Sequence, residues 1–194
     1  MSENTPVSQP ESRTPDLLPV LPIRNGVLFP NLVTPVVVTT ERSAKLVDEA
    51  LASDKLIMAV AQKNQGVEDA GPEDIYRVGS VATILKMLRI PDGSMRLLVQ
   101  GLRRARIKEL VLDRPYLRGR IERIEEIEHK DIAVEALMRN VTNMFNQLAS
   151  MVPYLPEELT TIAVNIDHPG RLADFIVSYV NFDISEKQRF LEVA

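Results

Sequence analysis

The stretch LPIRNGVLFPNLVTPVVV, residues 21–38, is apolar almost throughout, yet Pro22, Pro30 and Pro35 cut it and Pro19 stands just before. Proline locks φ and donates no backbone hydrogen bond, so this run continues neither one long helix nor one central strand. Two readings fit an apolar segment broken in this way. In the first, Val27, Leu28, Phe29 and Leu32 close one end of a β-structure while the prolines keep an edge strand from pairing with other chains. In the second, part of the segment stays exposed as an apolar contact for another polypeptide.

On either side of it the chain reads mostly as strand from Leu17 to about Ile127. The runs LLPVL, TPVVVT, LIMAVAQ, SVATILKMLRI, SMRLLVQGLRRARIKELVL and YLRGRIERIEEI are short, β-branched or alternating. Between Ile90 and Ser94 the sequence PDG predicts a hairpin, because Pro91 presets φ and Gly93 tolerates a positive one. One helix is expected over Glu41–Ser53, with Ala44, Val47, Ala50 and Leu51 apolar and Arg42, Lys45 and Glu49 on a polar face. That mixed-charge face is either simply solvated or helps select a bound polypeptide.

After His129 the texture turns helical. Leu137, Val141, Met144, Leu148 and Met151 recur at alternating steps of four and three, which predicts one seam on a helix from about Asp131 to Met151, ended by Pro153 and Pro156. Met138, Met144 and Met151 suit an adaptable binding surface. Their place on the seam favours core for Met144 and Met151. A short helix with Glu157 and Glu158 in its first turn follows, and a third starts near Pro169 with Leu172, Phe175, Ile176, Tyr179 and Val180 as its apolar stripe. A fourth is expected at Ser185, with Gln188 completing a capping box; lacking a stop signal, it reads as cut, so that a longer chain is expected.

Composition narrows the function. The chain has 194 residues, 45% of them hydrophobic, enough for one substantial core or a medium core with a satellite. It has no cysteine, which excludes disulfides, thiolate metal sites and a cysteine nucleophile. Residues 1–16 are polar, carry three prolines and show neither a secretory nor an organelle-import pattern, so they read as a disordered tail. No run of eighteen apolar residues escapes charge or proline, so no spanning helix is expected; the cytoplasm is the expected compartment. The net charge is −4, yet Lys86 to Arg123 holds eleven Lys or Arg against four acids. Such a stripe suits phosphate, and equally the charged outer face of half-buried strands, with Arg104, Arg106 and Lys108 alternating with Ala105 and Ile107. It lacks interleaved aromatic residues for stacking bases.

Catalytic patterns fail one by one. Gly66 and Gly71 have phosphate-loop spacing, but Pro72 and Glu73 stand where lysine and a hydroxyl residue are needed. His129 and His168 are far apart with no HExxH, no serine sits in GxSxG, and the acids form no distinctive pair. Single glycines at strand ends (Gly79, Gly101, Gly119) read as bulges or close packing.

The blocks LPVLPIRNGVLFPNLVTPVVV, DKLIMAVAQKNQGVEDAGPEDIYRVGSVATILKMLRIPDGSMRLLVQGLRRARI and PGRLADFIVSYVNFDISEKQRFLE closely resemble the N-terminal domain of the Lon family of ATP-dependent proteases, from about Leu17 to Ala194. Asn31 departs from the glycine or histidine common in that family, which touches only turn geometry. The resemblance implies an α+β fold: a PUA-like β-barrel lobe with one embedded helix over 17–127, followed by a small α-helical lobe over 128–194. It implies recognition of unfolded or damaged polypeptides and support for a homohexamer. It also implies that catalysis, with ATP and Mg, belongs to downstream ATPase and Ser-Lys protease domains, so that this chain itself carries no catalytic, cofactor or metal residue. Val27, Leu28, Phe29, Leu32, Arg42, Lys45 and Glu49 are the candidate contacts. A free-standing substrate-binding protein and a PUA-like RNA-binding module are the alternatives; the favoured reading expects neither nucleic acid nor membrane as partner.

Overall fold

The computed structural model describes residues 16–112, 114–127, 131–152, 155–156 and 158–193. All of the expected tail at residues 1–16 except Asp16 lies outside them, as do His129 and Glu157. Eleven elements follow in order: β1 (Leu17–Ile23), β2 (Val33–Val38), α1 (Glu41–Ala52), β3 (Leu56–Ala61), β4 (Val78–Arg89), β5 (Met95–Leu112), β6 (Arg118–Arg123), α2 (Ile132–Met151), α3 (Glu158–Val164), α4 (Pro169–Tyr179) and α5 (Ile184–Glu192). The fold is α+β, as expected, with the strands and α1 preceding the four remaining helices.

The six strands form one sheet in the order β2-β5-β4-β3-β1-β6, and β6 pairs in addition with β5. β5 manages this by its length: residues 95–100 take β2 as partner and residues 105–112 take β6. β1 and β3 run parallel, and every other pairing is antiparallel. The predicted hairpin joins β4 to β5. Gly93 sits at φ 89°, its N–H donates to the Ile90 carbonyl at 3.0 Å, and Asp92 accepts from the Ser94 N–H at 2.8 Å.

Alternation along the strands puts two apolar layers inside. Leu46, Val47 and Ala50 of α1 pack on Val36, Val38, Ile84, Met95, Leu97 and Val99. Elsewhere in the sheet Leu18, Val20, Met58, Val60, Ile75, Val81, Ala105 and Ile107 form a second cluster. α1 starts where Thr40 accepts from the Ser43 N–H at 3.2 Å.

The helices carry a core of their own, built on Phe145, Ala149, Leu155, Leu159, Ala163, Leu172 and Phe175. Here the expected α2 seam is overturned. Leu137, Met144 and Met151 are 61%, 67% and 79% exposed, and Phe145 and Ala149 are buried in their place. The buried stripe runs one residue further along the chain than the expected one, Met138 for Leu137 and Val152 for Met151 at its ends. One residue is a 100° turn of the helix, so the seam faces sideways out of the core. The α5 cap is also different: Asp183 accepts from the Glu186 N–H at 2.8 Å while Glu186 accepts from the Asp183 N–H at 3.1 Å. Gln188, expected in that cap, is instead buried and donates to the Val78 carbonyl of β4 at 3.0 Å. On α4, Tyr179 is partly exposed and Val177 takes the buried place expected of Val180. His168 caps α4, accepting from the Arg171 N–H.

Candidate functional site

The loop between β1 and β2 answers the question raised by its prolines. Val27, Leu28 and Phe29 are buried, Phe29 to 1% exposure, and Leu32 is half-buried. Val27 and Phe29 meet Ala61 and Val78 of the sheet and Val177 and Leu191 of α4 and α5, with Leu32 against the same cluster. The loop is therefore apolar because it is sandwiched between strands and helices. Its backbone is satisfied without joining a regular ladder: Ser80 Oγ donates to the Leu28 carbonyl at 2.6 Å, Asn31 N–H to the Gly101 carbonyl at 2.9 Å, and Gly101 N–H to the Leu32 carbonyl at 2.9 Å. Gly101 allows the approach, since a Cβ there would lie 2.2 Å from the Phe29 carbonyl oxygen. Asn31 adopts φ 60°, a conformation that asparagine tolerates better than branched residues do. In this arrangement Val27, Leu28 and Phe29 are buried between strands and helices.

The polar candidates on α1 are engaged. Lys45 pairs with Glu41 at 2.7 Å, Glu49 lies 3.7 Å from Arg118, and Arg42 reaches the Ala70 carbonyl at 3.5 Å. Tyr116 is pushed up to about 12, first by burial and then by the carboxylate of Glu49. Lys45 and Glu49 remain exposed, so their face is open to solvent but internally compensated.

What the sequence reading missed lies on the outer side of β2, β5 and β4. Across these strands the register aligns Val33 with Gln100 and Thr83, Pro35 with Leu98 and Lys86, and Val37 with Arg96 and Leu88. Leu85 sits in the bulge between Ile84 and Lys86. Val33, Val37, Leu85, Leu88 and Leu98 are all exposed, Val37 to 59%. These columns contain two cations and no acid. β2 is also an end strand of the sheet order, with Pro35 in its middle. A signal was present in the sequence: TPVVV and TILKML carry apolar residues at both parities, more than one buried face needs.

Part of the basic stripe is compensated. Lys108 pairs with Glu122 at 2.8 Å and Arg120 with Glu109 at 4.0 Å. Arg104, expected on the charged outer face, is buried, because α4 and α5 cover this part of β5. Its guanidinium donates to Asp174 at 2.5 Å, to Glu126 at 2.8 Å and to the Leu191 carbonyl at 3.1 Å. Asp174 is 3% exposed, and burial pushes its carboxyl up to about 6 against the opposing pull of Arg104. Among the described residues no group of acids and histidines is placed to hold a metal ion, and no helix is long and apolar enough to cross a membrane.

Set beside known proteins, residues 17–194 match the family described as the ATP-dependent protease La (LON) substrate-binding domain. A Lon protease of Dictyoglomus thermophilum is 47% identical over 178 residues, covering 92% of this chain and 22% of that protein. A Lon protease of Trichlorobacter lovleyi is 43% identical over 193 residues, covering 99% of this chain and 24% of that protein. The chain thus spans about a quarter of the length of these relatives. The N-terminal domain of the Mycobacterium avium complex Lon protease shares the fold, with a TM-score of 0.56 at 20% identity over 90% of this chain and 95% of that one. With nearly the whole chain inside the matched region, the protein belongs to the Lon substrate-binding domain family.

Proposed function

We propose that this chain is the non-catalytic recognition part of an ATP-dependent Lon-type serine protease, that it engages unfolded or damaged polypeptides, and that it supports assembly of a homohexamer in the cytoplasm. ATP and Mg would act in domains beyond this chain. The architecture we assign is a PUA-like β-barrel lobe over 17–127 and a helical lobe over 128–194; strand pairings that return from β6 to β5 support the barrel.

The observation that carries the reading is the uncovered apolar face of β2, β5 and β4, in a chain whose family is one of substrate binding. An unfolded chain offers apolar side chains, whose burial is favourable by about 25 cal/mol per Å². Lys86 and Arg96 on the same face suit clients with acidic flanks. The loop residues Val27, Leu28 and Phe29 act indirectly, by holding the strands and helices in register, and Leu32, Arg42, Lys45 and Glu49 do not belong to this apolar face.

The test is binding of unfolded casein to the pure chain, followed by fluorescence anisotropy. Val37→Asp with Leu88→Asp should weaken binding by about tenfold while leaving the melting temperature in place, because an unpaired charge then has to be desolvated on contact. Undiminished binding, or ATP turnover by the chain alone, would overturn the reading.

A further inference from the structure

The seam on α2 that the helical core leaves uncovered has the properties of a self-pairing surface. Val134, Leu137, Val141, Met144, Leu148 and Met151 keep the alternation of three and four residues that lets two helices wind about one another. Leu137, Met144 and Met151 stand well out of the surface, and Val134 and Val141 are half-buried at its inner margin. The surroundings are depleted of charge. Residues 140–156 contain no Lys, Arg, Asp, Glu or His, in a chain that is 26% charged. The helix's two charges, Glu135 and Arg139, lie 4.0 Å apart and compensate each other. Loss of charge at the centre of an apolar patch is the compositional mark of a protein interface.

We infer that this seam docks a second copy of the same chain, α2 against α2 in antiparallel fashion. The occupant follows from self-complementarity. Laid antiparallel, the repeat places Val134 against Met151 of the second copy, Leu137 against Leu148 and Val141 against Met144, and each contact recurs by two-fold symmetry. The charged first half of each helix then lies along the uncharged second half of the other, so no like charges are opposed. Twenty residues make a helix about 30 Å long, and a strip about 10 Å wide along it covers roughly 300 Å² per copy. That is well below the roughly 800 Å² per partner of a stable complex. The isolated chain therefore pairs weakly and with steep concentration dependence, and two copies held together by further sequence would pair strongly. The inference deepens the self-association in the proposed function and is independent of client binding, which uses the opposite kind of element, the outer face of the strands.

The test is sedimentation of the full 194-residue chain from micromolar to millimolar concentration, with dimer expected to become the main species at roughly 0.1–1 mM. Met144→Glu should abolish the dimer without shifting the thermal midpoint, since that side chain is solvated in the monomer; Met151→Lys is the second variant should the first perturb folding. Because the chain has no cysteine, single cysteines report the geometry cleanly. Mixing Leu137→Cys with Leu148→Cys should give the mixed disulfide, whereas Leu137→Cys alone should not crosslink, its two copies lying roughly 16 Å apart along the axis. A monomer at every concentration, a dimer that survives both charge variants, or crosslinking of Leu137→Cys to itself would each overturn the inference. So would loss of casein binding in Met144→Glu with no dimer in the unaltered chain, which would make the seam a client site.

Discussion

The loop from Val27 to Leu32 and the outward seam of α2 are both apolar and both close to prolines, but they have opposite surroundings. The loop is walled on one side by β3 and β4 and on the other by α4 and α5, so that Phe29 loses nearly all contact with water. The seam has a core on one flank only, because Phe145 and Ala149, one residue further round at each turn, take up the packing against α3 and α4. Apolar character shows how much surface a segment would gain by being covered. Which surface is covered depends on what arrives opposite it.

Phe29→Ala is expected to have the largest effect, a loss of about 3–5 kcal/mol in urea unfolding, because it empties the junction between strands and helices. A loss under about 1 kcal/mol would mean that the loop does not hold the strands and helices together. Arg104→Met belongs to the same junction and should cost about 3–5 kcal/mol, since it leaves Asp174 buried without its partner. The paired replacement Arg104→Met with Asp174→Leu should cost less than Arg104→Met alone, and a double-mutant cycle in which the two costs merely add would refute the coupling.

Asp174 should also give the junction a pH dependence. Its folded value near 6 lies above the ordinary 3.8, so between those two values the native state binds more protons than the unfolded state. Its contribution therefore makes the protein more stable as pH falls from about 6 towards 4, by up to about 3 kcal/mol, against the general trend of acid denaturation. Asp174→Asn should remove that component from a stability–pH profile; an unchanged profile would assign it elsewhere. Asn31→Val should cost about 1–2 kcal/mol because of its positive φ, while Asn31→Gly should be close to neutral. At the small end, Met144→Ala should change stability by less than about 0.5 kcal/mol. A cost as large as that of Phe29→Ala would erase the contrast between the two segments.

Local chemistry made much of the fold legible. PDG between two alternating runs predicts the β4–β5 hairpin, and the amphipathic run from Glu41 predicts α1, because turns and helix faces are decided by residues a few positions apart. Gly101 was legible as a site of close approach, and the backbone contact with Phe29 bears that out. Arg104 was not. A strand's alternation places it on the outer face, and only the arrival of α4 and α5 turns that face into an interior. The apolar columns around Val37 and Leu88 were hidden in the same way, since two-sided apolar strands fit a sandwiched position as well as an open one.

The sequence by itself determined the element types, the positions of turns and the absence of cysteine chemistry, each of which depends on neighbouring residues or on composition. Its resemblance over residues 17–194 determined the family. The tertiary structure alone decided that the proline-cut loop lies inside and the α2 seam outside. Burial depends on the shape of what packs opposite, and a helix with an apolar arc wider than one stripe leaves that choice to its neighbours.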